Sequence, residues 1–188
     1  MSKSFFERVN KNPIIAAVKD VDNFDLALTS SCEIIFLLTG SIFNLKHLVE
    51  KGSQANKGVY VHLDLLEGFS RDFTSLKFIN EQIKPEGIIT TKPSLVKKAG
   101  EMNIFTIQRL FIFDSLSLKT AIDSIRSTKL DAIEILPGIM PRIIQRIIEE
   151  TKIPLIAGGL IETKEDVIQT LKAGAIGVST SNQEIWNL

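Results

Sequence analysis

Short apolar runs rich in β-branched residues alternate with segments of helical periodicity along almost the whole chain. This alternation is the pattern of repeated strand–helix units built around a parallel sheet. Eight runs are predicted strands: residues 13–18, 33–38, 59–65, 87–90, 104–108, 132–136, 154–157 and 175–179. The predicted helices between them are residues 22–31, 41–51, 73–83, 93–101, 115–127, 141–151 and 163–172, with a short one after Ser181. Pro93 and Pro141 fit the first turns of their helices, and Gly100 and Gly174 fit the position after a helix end.

Eight strand–helix units in one chain favour a closed sheet over an open one. We therefore predict an α/β fold, a TIM-like (β/α)8 barrel that forms a single domain over residues 1–188. Because such barrels more typically need about 250 residues, the loops must be short. An open doubly wound sheet is the alternative, but it usually carries a glycine-rich fingerprint after its first strand, and Val18-Lys19-Asp20 is not one.

The first twelve residues are predicted to be a capping segment for the barrel. Residues 4–9 are amphipathic enough to form a helix over the amino-terminal end of the strands. No apolar run in residues 1–12 is long enough for a signal peptide, and no later stretch reaches the roughly 20 apolar residues of a membrane span. We therefore expect a cytoplasmic protein that does not contact a membrane.

The charge balance and the cysteine content limit the kinds of partner and covalent link that the chain can be expected to have. Twenty-two basic residues against twenty-two acidic ones leave no overall positive field for nucleic acid or anionic lipid, so any RNA contact must be local. Cys32 is the only cysteine, which excludes an internal disulfide, and we expect it to be buried. No residue pattern indicates a metal site, and the sequence does not decide between a monomer and a homo-oligomer.

The seventh and eighth predicted strands are followed by residues suited to a phosphate group, which commonly binds at this place in such barrels. Gly158 and Gly159 lack a Cβ, so their backbone can approach an anion closely. Ser179 and Thr180 lead through Ser181 and Asn182 into a short helix whose amino terminus favours negative charge. The alternative is that the glycines make a tight turn and Ser181 caps the helix.

Two carboxylates are predicted to point into the mouth of the barrel. Alternation along the third strand sends Val61, Leu63 and Leu65 toward the helices and His62 and Asp64 inward, and the same argument turns Glu134 inward. Buried carboxylates need partners. The polar residues that could supply them or contact a ligand, just past strand ends, are Lys19, Lys92, Gln108 and Arg109. Taken alone, His62 is more often a hydrogen-bonded core histidine than an acid or base.

An enzymatic role is the alternative to simple binding. Barrel decarboxylases that bind phosphate carry Asp-x-Lys-x-x-Asp on this strand, whereas Asp64-Leu65-Leu66-Glu67 lacks the lysine. Asp64 and Glu134 could still act as an acid/base pair in isomerisation or aldol chemistry on a small phosphorylated substrate, and their spacing does not decide this.

Six ordered blocks resemble the glycerol uptake operon antiterminator family of bacterial regulators. The blocks cover residues 61–68, 87–92, 107–115, 133–141, 156–161 and 175–181 and read VHLDLLEG, GIITTK, IQRLFIFDS, IEILPGIMP, IAGGLI and AIGVSTS. The resemblance extends over nearly the whole chain after residue 12. It implies a TIM-like barrel that responds to glycerol 3-phosphate, takes no other cofactor and, when loaded, binds a leader mRNA to prevent premature termination.

The resemblance also suggests roles for the residues at the strand ends. Gly158, Gly159, Ser179 and Thr180 would hold the phosphate, and Asp64, Glu134, Lys19, Gln108 and neighbouring groups would bind the glycerol hydroxyls. Because no RNA-recognition signature is present, the candidate RNA contacts are two basic pairs on helices, Arg142 with Arg146 and Lys97 with Lys98. A phosphoryl-ligand enzyme and a barrel that acts through a protein partner remain the alternatives.

Overall fold

In a computed structural model that describes residues 4–188, eight parallel strands pair in chain order and β8 closes the barrel against β1. The strands are β1 (Ile14–Val18), β2 (Ile34–Leu37), β3 (Gly58–His62), β4 (Gly87–Thr90), β5 (Thr106–Phe111), β6 (Ala132–Leu136), β7 (Leu155–Gly158) and β8 (Gly177–Thr180). The α-helices are α1 (Phe5–Lys11), α2 (Phe24–Thr29), α3 (Leu45–Gln54), α4 (Phe73–Phe78), α5 (Pro93–Glu101), α6 (Ser115–Ser127), α7 (Pro141–Thr151) and α8 (Lys164–Lys172). The predicted TIM-like (β/α)8 barrel is therefore confirmed.

The predicted boundaries of β4, β6, α5, α6 and α7 are those observed. Most other boundaries are shifted, by four residues at the start of α3. The strand predicted over residues 59–65 ends at His62 and continues as a 3-10 turn, Leu63–Leu65, which leaves Leu65 exposed. The fifth strand starts at Thr106 and runs to Phe111 instead of ending at Gln108. The short helix predicted after Ser181 is a 3-10 helix, Ile185–Asn187.

Helix ends follow the expected chemistry with one exception. Pro93 and Pro141 lie in the first turns of α5 and α7, and Gly174 has a positive φ of 101° just past α8. Gly100 lies inside α5 and not beyond it. Cys32 is buried, as predicted.

The barrel interior changes from apolar to polar along the strands. Its apolar layer includes Tyr60, Ile107, Ala132 and Ile156 from β3, β5, β6 and β7. Because successive inward residues are two apart in a strand, the next inward residues are polar or small: His62, Arg109, Glu134 and Gly158. The site therefore lies at the carboxyl end of the barrel, directly on the apolar layer.

Helix α1 packs at the opposite end of the barrel. Phe5 packs against Tyr60 and Phe105, with ring centroids 5.2 and 4.9 Å away. Buried Arg8 donates hydrogen bonds to the carbonyl of Asn56 over 2.7 Å and to Glu86 over 3.2 Å. Residues 1–3 of the predicted capping segment lie outside the described residues. Among residues 4–188, no helix is both long enough and apolar enough to cross a bilayer.

Candidate functional site

A cavity of about 620 Å³ opens at the carboxyl ends of β7, β8 and β1. Three kinds of group line it: cations and a carboxylate from the barrel interior, the loop after β7, and the chain after β8. Its lining residues are Ala17, Lys19, Leu38, Arg109, Glu134, Leu136, Gly159, Leu160, Ile161, Glu162, Thr163, Ser179, Thr180, Ser181 and Asn182.

The segments after β7 and β8 are held together by hydrogen bonds. Thr180 donates its hydroxyl to the carbonyl of Ile161 over 2.8 Å, and the side-chain amide of Asn182 donates to the carbonyl of Glu162 over 3.1 Å. Gly159 has a φ of +74°, a conformation that glycine adopts without strain. The Nε1 of Trp186 donates to the carbonyl of Thr180 over 2.8 Å and fixes the chain beyond β8. The two segments thus form one wall of the cavity.

A buried ion pair forms the floor. The Nε of Arg109 donates to one oxygen of Glu134 over 2.6 Å, and the hydroxyl of Ser179 donates to the other over 2.5 Å. Arg109 and Glu134 are direct partners in the register of β5 and β6. Because the guanidinium and a hydroxyl serve both carboxylate oxygens, the buried charge is compensated.

Gly158 is packed against this floor. A Cβ built on Gly158 would lie 2.4 Å from Ser179 Oγ and 2.7 Å from Glu134 Oε1. Any side chain here would therefore disturb the Ser179–Glu134 hydrogen bond. The need for glycine comes from the barrel interior rather than from the space for an anion.

The cavity offers two cations for a ligand. Among residues 4–188, Lys19 has no ion pair or hydrogen bond, and the two Nη atoms of Arg109 have none beyond the bond made by Nε. Lys19 is exposed, and Arg109 is 7% exposed. Both can donate to an anion in the cavity without losing the contact that holds Arg109 on Glu134.

Asp64 and Lys92 lie outside this cavity, near the ends of β3 and β4. Asp64 accepts hydrogen bonds from Thr90 Oγ1 over 3.0 Å, from Thr91 N over 2.6 Å and from Thr91 Oγ1 over 3.1 Å. The Nζ of Lys92 donates to the carbonyl of Arg71 over 3.0 Å. In this structure Asp64 and Lys92 stabilise the β3–β4 edge of the mouth.

His62 is buried between the two parts of the mouth. It is 2% exposed, neither of its ring nitrogens has a hydrogen-bond partner, and its Nδ1 lies 4.0 Å from Asp64. Burial, the largest cause, and the nearby Arg109 lower the pKa of His62 to about 4 against the opposing effect of Asp64. The imidazole is therefore neutral at pH 7. The hydrogen bonds expected of a core histidine are absent among the described residues.

Gln108 faces away from the cavity. Its Nε2 donates to Ser124 Oγ on α6 over 2.9 Å, so the side chain lies in the helix layer. This corrects the expectation that Gln108 contacts the same ligand as Glu134. The strand ends three residues later than predicted, and Arg109 is the residue that points inward.

The cavity brings together six of the ten predicted site residues: Lys19, Arg109, Glu134, Gly159, Ser179 and Thr180. Gly158 lies beneath them, and Asp64, Lys92 and Gln108 lie elsewhere. The predictions missed the apolar wall, Ala17, Leu38 and Leu136, and the loop residues 160–163. The wall residues continue the inward face of β1, β2 and β6, a signal available from strand alternation.

The fold and the cavity define a TIM-like barrel with an open, charged cavity at the carboxyl ends of its strands. Residues 14–186 match the family model described as glycerol-3-phosphate responsive antiterminator. The chain belongs to this family, as the sequence blocks predicted.

Similar proteins cover almost the whole chain. The uncharacterized protein YgcP of Escherichia coli K12 is 39% identical over 180 residues, which is 96% of this chain and 94% of that protein. The crystal structure of the glycerol uptake operon antiterminator regulatory protein from Listeria monocytogenes is 36% identical, with a TM-score of 0.90 over 93% of this chain and 95% of that one. An antiterminator-related protein from Thermotoga maritima is 30% identical, with a TM-score of 0.82 over 92% and 96%. An Escherichia coli aldolase, 11% identical with a TM-score of 0.66, shares the fold alone.

Proposed function

We propose that the protein binds glycerol 3-phosphate and, when loaded, binds the leader mRNA of glycerol-catabolic genes to prevent premature termination. Membership of the antiterminator family supports the regulatory role. The observation that carries the ligand half is the cavity, in which Lys19 and the free Nη atoms of Arg109 face the segments after β7 and β8. Such a regulator acts in the cytoplasm.

The phosphate group fits the side of the cavity with the most donors. Lys19, Arg109 and the backbone beside Gly159 and Thr180 surround this volume, and phosphate binding after strands seven and eight is common in barrels of this kind. The glycerol hydroxyls would then lie over Glu134 and against the apolar wall. The Ser179 hydroxyl donates a hydrogen bond to Glu134, so it contributes to the site by holding this carboxylate in place.

The contacts of the two carboxylates, Glu134 and Asp64, favour a ligand-binding protein over an enzyme. Glu134 accepts hydrogen bonds at both oxygens, and Asp64 accepts three within 3.1 Å. A general base must reach the substrate proton. Asp64 lies outside the cavity, and Glu134 is held in the floor by its pair with Arg109.

The test is a gel-shift titration of the full chain against the leader RNA of its organism's glycerol genes. Binding should strengthen at least about fivefold with glycerol 3-phosphate, because effector couplings are typically 1–3 kcal/mol. Glycerol alone should give no change. If glycerol 3-phosphate binds but RNA is not bound under either condition, the proposal fails. A turnover assay for a phosphoryl-ligand enzyme and capture of a protein partner would then follow.

A further inference from the structure

A second, apolar groove of about 530 Å³ lies outside the barrel, between the start of α5 and helix α6. Three exposed side chains form its outer wall: Phe111 is 43% exposed, Phe113 is 82% and Leu116 is 72%. The Phe111 and Phe113 rings are parallel within 1°, with centroids 6.0 Å apart. Large apolar side chains clustered in one exposed place are typical of an interaction site.

The groove floor contains a buried amide with an unsatisfied end. Gln108 is 1% exposed, and its Oε1 has no hydrogen-bond partner among the described residues, although Nε2 donates to Ser124. In this orientation the Ser124 hydroxyl accepts from Nε2, so it is the acceptor end of the amide that has no partner. A buried acceptor without a donor is destabilising. A partner that brings an N–H group into the groove would remove this cost.

The charges beside the groove suit a phosphate backbone. Lys97 lies one turn after Pro93 on the same side of α5, is exposed and has no ion pair among the described residues. The one carboxylate that lines the groove, Asp114, caps the amino terminus of α6, where it accepts from Ser117 N over 2.8 Å and the helix dipole offsets part of its negative charge. By contrast, Arg146 donates to Glu150, which also binds Arg126.

We infer that this groove binds an unpaired base of single-stranded RNA, stacked on Phe113 with its exocyclic amino group donating to Gln108 Oε1. Aromatic side chains that stack single-stranded bases, together with nearby lysines for the backbone, are the usual means of such recognition. The inference rests on the proposed function for the RNA partner and assigns that partner a surface separate from the ligand cavity.

Because the free end of the Gln108 amide is an acceptor, we expect the groove to prefer bases that carry a donor. Adenine and cytosine carry an exocyclic amino group at an open edge. Uracil has only a ring N–H between two carbonyl oxygens, which would be repelled by Gln108 Oε1. Adenine and cytosine should therefore bind more tightly than uracil, and the difference should depend on Gln108.

The test measures fluorescence anisotropy of labelled A12, C12 and U12 ribonucleotides with the full chain at saturating glycerol 3-phosphate. Phe113→Ala should weaken all three by at least about fivefold, since it removes a stacking surface. Gln108→Leu should remove the advantage of A12 and C12 over U12, which we expect to be about 3- to 10-fold. Phe43→Ala changes an equally exposed phenylalanine in the β2–α3 loop, 96% exposed, and should change nothing.

The leader RNA is titrated in the same assay, with calorimetry of glycerol 3-phosphate showing that each variant is folded. Leader RNA that binds the wild-type chain and both groove variants equally overturns the groove inference and leaves the proposed function standing. Leader RNA that does not bind, with groove-dependent binding of A12, overturns the proposed function and supports the groove. A dimer that Phe113→Ala dissociates, with RNA binding unchanged, assigns the groove to a second copy of the chain and overturns the inference.

Discussion

Arg109 and Glu134 lie side by side on β5 and β6, and the Nε of Arg109 donates to Glu134 Oε2 across 2.6 Å inside the barrel. Because both side chains are buried, removing one charge leaves the other uncompensated. We expect Glu134→Gln to lower the free energy of unfolding by about 3–5 kcal/mol. Urea denaturation followed by circular dichroism measures this. A loss below about 1 kcal/mol would mean that water already compensates Arg109.

A double variant measures the interaction energy between Arg109 and Glu134 separately from their contacts with other residues. Arg109→Met combined with Glu134→Gln should cost less than the sum of the two single changes, by about 1–3 kcal/mol, because the residues are in contact. Simple additivity would contradict a direct ion pair.

Lys19 is expected to contribute to ligand binding without contributing to stability. It is exposed and has no partner among the described residues, so Lys19→Met should leave the unfolding transition unchanged. Its loss should raise the Kd for glycerol 3-phosphate by roughly 10- to 100-fold, the value of a hydrogen bond to a charged group. Isothermal calorimetry measures the Kd, with Lys46→Met on α3 as the matched control. An unchanged Kd would exclude Lys19 from the site.

A substitution at Gly158 tests how tightly the floor of the cavity is packed. Gly158→Ala places a Cβ 2.4 Å from Ser179 Oγ, so the hydroxyl must move away from Glu134. We expect a loss of about 1–3 kcal/mol of unfolding free energy, as for other overpacked interiors. Combining it with Ser179→Ala should recover part of this loss because the clash is removed. If the double variant is less stable than either single one, the clash is not the cause.

His62 predicts a pH dependence of stability. Its pKa in the folded protein is about 4, below the ordinary histidine value of 6.5, so between these pH values the unfolded chain binds a proton that the folded chain does not. Stability attributable to His62 is therefore full above pH 6.5 and falls as the pH drops toward 4, by about 3 kcal/mol at 1.4 kcal/mol per pH unit.

The measurement is urea denaturation at several pH values for the wild-type chain and for His62→Gln, which does not titrate. The difference between the two should change between pH 6.5 and 4 and be constant above it. Parallel curves across this range would mean that the pKa of His62 is the same in the folded and the unfolded chain.

Local patterns predicted most of the barrel because each strand–helix unit is encoded within its own residues. The apolar run of β6 and the polar start and periodicity of α6 were enough for correct boundaries. The strand predicted to reach Leu65 failed for a nonlocal reason. Alternation continues through Asp64, but Asp64 binds Thr90 and Thr91 on the next unit while the chain forms a 3-10 turn.

The site was predictable only as far as it follows from the barrel. Lys19, Gly159 and Thr180 lie at strand ends, and the fold alone brings those ends together. Strand alternation places Ile107 and Arg109 on the inner face and Gln108 on the outer face once the strand runs to Phe111. The Arg109–Glu134 pair joins residues 25 positions apart, and such a contact leaves no trace in the neighbouring sequence.

The only tryptophan in the chain, Trp186, is 2% exposed and bonded through its indole N–H to the carbonyl of Thr180. Thr180 lines the cavity, so a single residue lies between the indole and that volume. Indole emission depends on the polarity and hydrogen bonding of its surroundings. The chain therefore carries one intrinsic fluorophore beside the cavity, and we expect its emission to change when a ligand binds there.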